Sequence, residues 1–167
     1  QNSLIQAITD FNALNEHQIE QFYKPINFKV SKHKLFKQAV DLINLSIQKN
    51  HKIIICGDYD ADGICSTTIL DHHSYEVEVI CDCLVHPNLL DEDYHDMCGS
   101  GLAYNLSEQL MGYDAFNVSL AAIATIADLM PLWGFNRACV IQGLKEINNH
   151  QTPVLLNLLN EKSNYNE

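Results

Sequence analysis

Apolar side chains recur at spacings of three and four over residues 31–49, where Leu35, Phe36, Ala39, Val40, Ile43 and Ile47 share one stripe. That period is helical, so the stretch predicts an amphipathic helix with one face turned inward and Ser31 as its N-cap. The pattern changes at residues 52–56, Lys-Ile-Ile-Ile-Cys, a short β-branched run bounded by Gly57. A run of this kind predicts a buried strand of a parallel sheet. Residues 67–70 read as the start of a further helix that crosses from the strand end back over the sheet. Residues 77–83 and 84–86 again have strand character. Behind Gly99 and Gly101, Leu102, Ala103, Leu106 and Leu110 return to helical spacing, with Gly101 as the expected helix start.

Residues 119–127 are apolar almost all round and rich in alanine, which predicts a helix packed in the interior and ending at Asp128-Leu129-Met130-Pro131. Another helix is expected over 136–147 with Val140, Ile141, Leu144 and Ile147 inward, and a last one opened by Thr152 and Pro153 as N-cap and N1. The alternation of helices with buried strands predicts an α/β fold, a parallel β-sheet core flanked by helices with additional C-terminal helices. Residues 1–50 form an N-terminal helical segment leading into the core, 51–148 the core itself, and 149–167 the start of a connecting helix. With 167 residues, 47% of them apolar, the chain is long enough to bury a hydrophobic core. It opens on Gln1 and closes on a polar tail, so a fragment of a longer protein is expected.

Charge and cysteine usage narrow the classes. No apolar stretch approaches the ~20 residues of a membrane span, and no basic segment leads into an apolar run, so a soluble, cytoplasmic protein is expected. Cys56, Cys65, Cys81, Cys83, Cys98 and Cys139 are scattered, which fits reduced thiols. Cys81 and Cys83 invite a zinc reading, but no second pair stands at finger spacing and burial is the better expectation. A net charge of −11 without clustered Lys and Arg excludes a free-standing nucleic-acid binder. Surplus aspartate is then either solubilising surface or a site for a hard cation.

Position favours the cation. Asp58, Asp60 and Asp62 lie in Gly57-Asp58-Tyr59-Asp60-Ala61-Asp62-Gly63, directly after the expected strand, where open α/β sheets form their ligand crevice. In an extended loop residues two apart point the same way, so these carboxylates converge and repel unless a cation joins them. A helix-capping turn is the bland alternative. An EF-hand shares the opening but needs a bidentate Glu at its twelfth position, where this chain has Ile69. Asp71-His72-His73 is either a solvated loop or a pair of imidazoles that shifts a carboxylate site from calcium toward manganese, iron or zinc. Asp128, at the end of an apolar helix, is either a solvated terminus or a buried ligand.

The motifs together resemble the DHH phosphoesterase superfamily, named for the triplet present here as Asp71-His72-His73, and within it the RecJ branch. Beyond the aspartate loop and the triplet, the resemblance rests on Val85-His86-Pro87, on Cys98-Gly99-Ser100-Gly101-Leu102-Ala103, on Ala127-Asp128-Leu129-Met130-Pro131-Leu132 and on Asn136-Arg137, in family order. It covers roughly residues 35–144 and implies a Rossmann-like DHH domain. It also implies two Mn2+ ions, with Mg2+ as a substitute, held by Asp60 on one side and by Asp62, His72 and Asp128 on the other. Asp58 belongs to the same catalytic loop. His73 would face the phosphate or support a ligand, and Gly99, Ser100 and Gly101 would offer backbone N–H groups to a terminal phosphate. The implied activity is 5′-to-3′ exonucleolytic hydrolysis of single-stranded DNA in repair and recombination. Single-stranded nucleic acid would be gripped by lobes beyond this chain, with a single-strand-binding protein or a helicase as partner and no membrane. The alternatives are an oligoribonuclease, cyclic-dinucleotide or bisphosphate-nucleotide phosphodiesterase, and a catalytically inactive scaffold. Two departures stand out. Family members carry a further stretch with a metal-bridging Asp where Leu70 here meets Asp71 directly, so that stretch is omitted or deleted. Cys56 also stands where some relatives have a ligand His.

Overall fold

The computed structural model describes residues 2–11, 13–53 and 82–149. In chain order these residues form α1 (Asn2–Phe11), α2 (Glu16–Tyr23) and α3 (Lys34–Gln48), then single 3₁₀ turns at Pro87–Leu89 and Glu92–Tyr94. They continue as α4 (Gly99–Met111), α5 (Ala115–Ala127) and α6 (Gly134–Asn148). Local chemistry sets the ends. Asn15 and Gln18 form a reciprocal capping box at α2. The Asp114 side chain accepts from the Asn117 N–H at 2.8 Å to open α5. At the other end, α3 and α5 close with the same left-handed turn, carried by Asn50 (φ 53°) and Leu129 (φ 54°). The following amides, of His51 and Met130, reach back to the Ser46 and Thr125 carbonyls at 2.9 and 3.1 Å.

The core lies among α4, α5, α6 and the N-terminal end of α3. Phe36, Met97, Leu102, Val118 and Phe135 are wholly buried there. Tilted aromatic pairs knit the 25–33 linker to this lobe, Phe28 with Tyr104 at 5.6 Å and with Phe135 at 5.9 Å, and Tyr94 pairs with Phe135 at 5.7 Å within it. The α5–α6 contact uses the small residues Ala121, Ala122 and Gly143. A β-carbon on Gly143 would sit 2.3 Å from that of Ala122, so only glycine allows this approach. α2 is fastened by Gln21, whose Oε1 accepts from the Gly134 N–H at 2.6 Å while Nε2 donates to Asp93 Oδ1 at 2.6 Å. The Arg137 guanidinium, 4.7 Å from the Phe22 ring centroid, adds a cation–π contact.

The α/β expectation is corrected by these observations. All regular structure among the described residues is helical, and residues 52, 53 and 82–86, which fall in the expected strands, form no ladder. Residues 84–86 have strand character in the sequence, yet so short a stretch does not fix conformation. Val85 is buried as part of the helical core, and His86, though extended, serves as the N-cap of a 3₁₀ turn whose first residue, Pro87, has no N–H for a ladder. The remaining strand residues, the helix expected at 67–70 and the one opened by Thr152 and Pro153 lie outside the described residues.

Three smaller expectations also shift. α3 is capped by His33, because the Ser31 hydroxyl accepts from the His33 N–H at 3.2 Å while the Ser31 N–H and carbonyl bind Asn105 and Gln109. α4 starts at Gly99 rather than Gly101. On α6, Val140 and Ile147 are buried as expected, but Leu144 is exposed and the inward place is taken by Cys139 and Gly143. Cys83, Cys98 and Cys139 are thiols, and the Cys83 Sγ donates to the Leu35 carbonyl at 3.6 Å. Among the described residues no helix is long and apolar enough to cross a membrane.

Candidate metal centre

Of the residues singled out by sequence, Asp128, Gly99, Ser100 and Gly101 lie within the described part of the chain. Asp58, Asp60, Asp62, Asp71, His72, His73 and Cys56 lie outside it. Among the described residues no group of three or more His, Cys, Asp or Glu is arranged to hold a metal.

What the structure does assemble is one end of the helical lobe. α4 begins with Gly99-Ser100-Gly101, all three buried, and its N-cap Cys98 lends no side-chain cap to the first turn. The Cys98 Sγ lies 3.7 Å from the Thr125 Oγ1, in the last turn of α5. Thr125 is in turn held by its own helix, donating to the Ala121 carbonyl at 2.7 Å. The start of α4 and the end of α5 therefore meet, and Asp128 caps that end of α5.

This juxtaposition has an electrostatic sense. Backbone N–H groups at a helix start form a positive, anion-accepting end, which suits the expected phosphate role of Gly99 to Gly101. A carboxylate at a helix C-terminus faces the negative end of the macrodipole and is disfavoured there unless a cation joins it. Asp128 stands at that end of α5, half-buried. Oxygen donors from aspartate with imidazole from His72 are a set suited to Mn2+, so the residue types present fit the implied ion.

The turn after Asp128 is held from behind. The Asn136 Nδ2 donates to the Pro131 carbonyl at 3.0 Å and to the Asp96 carbonyl at 2.7 Å. The Asp96 carboxylate accepts from the Trp133 Nε1–H at 2.6 Å. In the sequence Asn136-Arg137 stands out as part of a motif without a role; contacts that pair residues 40 positions apart leave no local signal. Nearby, burial and then the adjacent Cys98 push the Cys139 thiol well above its ordinary range, so this cysteine is inert packing rather than a nucleophile.

No family model matches the sequence. The single-stranded-DNA-specific exonuclease RecJ of Bacillus subtilis is 26% identical over 197 aligned residues, covering 75% of this chain and 24% of the relative. The exonuclease of the same name from Thermus thermophilus is 37% identical over 84 residues, covering 47% of this chain and 13% of the relative. The crystal structure of RecJ in complex with Mn2+ from the same organism matches with a TM-score of 0.56 at 22% identity, covering 72% of this chain and 28% of that one, and so shares its fold. These matches bear out the resemblance to the DHH superfamily that the motifs carry. The chain is similar to the RecJ-type exonucleases, and it spans a quarter or less of the curated relatives' length. The Bacillus alignment runs over 197 positions against 167 residues here, so the relative carries residues in that stretch that have no counterpart in this chain.

Proposed function

We propose that this chain is the metal-binding lobe of a phosphodiesterase, acting as a manganese-dependent exonuclease on single-stranded DNA from the 5′ end. The observation that carries the reading is the meeting of two opposite helix ends, the positive start of α4 at Gly99 to Gly101 and the α5 end capped by Asp128. One end suits a phosphate and the other suits the cation that balances it. Asp60, Asp62, His72 and Asp128 would hold the ions, with Asp58 in the same loop and His73 facing the phosphate. When bound, Mn2+ supplies charge stabilisation on the phosphoryl oxygens and lowers the pKa of a water, which leaves no need for a separate strong base. The role of the chain is then to hold carboxylates and imidazole in place and to seat the phosphate on the first turn of α4. The acidity of the chain is consistent with this division, since the grip on a polyanion would come from other parts of a longer protein.

A second reading, a catalytically inactive scaffold, is favoured by one observation: the Bacillus relative carries residues with no counterpart here, and the family resemblance puts a metal-bridging Asp in such a stretch. Incubating the full-length gene product with Mn2+ and 5′-labelled single strands, oligoribonucleotides or cyclic dinucleotides separates the readings. Release of 5′ mononucleotides from DNA, lost in Asp62→Ala and His72→Ala with folding intact, supports the exonuclease. Cleavage of the small substrates alone supports the alternative phosphodiesterase, and no turnover of any substrate supports the scaffold.

A further inference from the structure

The two halves of the candidate site are joined by one side chain to which neither the motifs nor the comparisons give a role. Asn136, in the first turn of α6, is 2% exposed. Its Nδ2 spends both hydrogens on backbone carbonyls: one on Pro131, in the turn three residues after Asp128, the other on Asp96, two residues before the N-cap of α4. The same amide therefore fixes the spacing between the segment that presents the carboxylate and the segment that leads into Gly99-Ser100-Gly101. The Trp133–Asp96 bond braces the second of these segments from its side chain. Water in place of the Asn136 amide would satisfy these part-buried carbonyls without fixing their separation.

Accepting the metal-site reading above, on which this inference rests, we propose that Asn136 is a positioning residue for the site. Its carboxamide sets the distance of Asp128 from the phosphate-binding turn of α4. The amide orientation follows from its partners, because an oxygen in place of Nδ2 would face two carbonyl oxygens. Its Oδ1 is buried and has no hydrogen-bond partner among the described residues.

The test compares Asn136→Asp, Asn136→Ser and Asp128→Asn in the 167-residue chain, by calorimetric titration with Mn2+ and then with inorganic phosphate, with circular dichroism as the folding control. Groups that orient metal ligands without touching the ion typically change affinity by about 10- to 100-fold when removed. Asn136→Asp is expected to weaken Mn2+ binding by about tenfold and to weaken phosphate binding to the Mn2+-loaded protein, although it adds a negative charge that by simple attraction would strengthen cation binding. Asn136→Ser adds no charge and is expected to act in the same direction, which keeps the test open if the Asp variant fails to fold. Either variant folded, with Mn2+ and phosphate affinities within about twofold of the unsubstituted chain while Asp128→Asn loses Mn2+, overturns the positioning role. Unchanged Mn2+ binding in Asp128→Asn removes the metal-site reading and this inference with it.

Discussion

α3 and the α5–α6 pair bury apolar surface in opposite ways. α3 has the clear three-and-four spacing of an amphipathic helix, yet only Phe36 along it is fully buried, and Leu42, Leu45 and Ile47 are 37%, 44% and 61% exposed. α5 and α6 show weaker periodicity but pack closely, with Val118, Ala121, Ala122, Ala124, Phe135 and Cys139 almost completely enclosed. The contrast separates two properties that a hydrophobic pattern runs together. Spacing reports that a helix exists, whereas the size of the facing residues decides how near its neighbour comes. The site end of the molecule belongs to the second kind of packing, in which the contacting residues leave little room to adjust.

Substitutions can break this contrast. Phe135→Ala, in the enclosed lobe, is expected to cost about 3–5 kcal/mol in denaturant unfolding, while Ile47→Ala stays within about 0.5 kcal/mol. Equal losses at the two positions would show that α3 is as tightly packed as the lobe. Gly143→Ala drives a methyl group into Ala122 and is expected to destabilise by about 1–3 kcal/mol despite the better helix propensity of alanine. A gain in melting temperature would mean that α5 and α6 sit farther apart than described. Leu129→Gly relieves a left-handed leucine at the end of α5 and is expected to stabilise by up to about 1 kcal/mol, with a loss in its place pointing to packing of the Leu129 side chain.

The smallest effect is expected at high pH. Burial, then the hydrogen bond to Glu146, raises the Tyr113 hydroxyl from 10.0 to about 12. A group raised on folding contributes stability that is whole below its unfolded value and is lost as pH climbs through its folded value. Unfolding followed from about pH 9 to about pH 12 should therefore show falling stability, less steeply in Tyr113→Phe. An unchanged slope in that variant would leave the alkaline loss to the other groups that burial pushes up, Tyr104, Tyr94 and the Cys139 thiol.

The helices were legible because their signals are local. The helix expected over 119–127 was read from a stretch that is apolar almost all round and forms the greater part of Ala115–Ala127, and the one expected over 136–147 was read from its spacing. The strand at 84–86 failed because three residues carry no period long enough to tell an extended ladder from an extended connector, and Pro87 then decides the outcome. Ser31 failed as a cap because its backbone is engaged with α4 through Asn105 and Gln109, partners that lie more than 70 residues away. The candidate site divides along the same line. Gly99 to Gly101 and Asp128 were legible as motifs, but the Cys98–Thr125 contact and the Asn136 tie arise only from packing.

Everything proposed for the site requires that Asp128 help to hold a divalent ion. Titrating Mn2+ while following its six-line paramagnetic resonance signal measures this directly, because the signal of the hydrated ion collapses on coordination. The intact chain should quench that signal at sub-stoichiometric Mn2+, and Asp128→Asn should restore most of it. A signal as strong with the protein as in buffer, or one quenched equally by the Asn variant, would contradict the assignment.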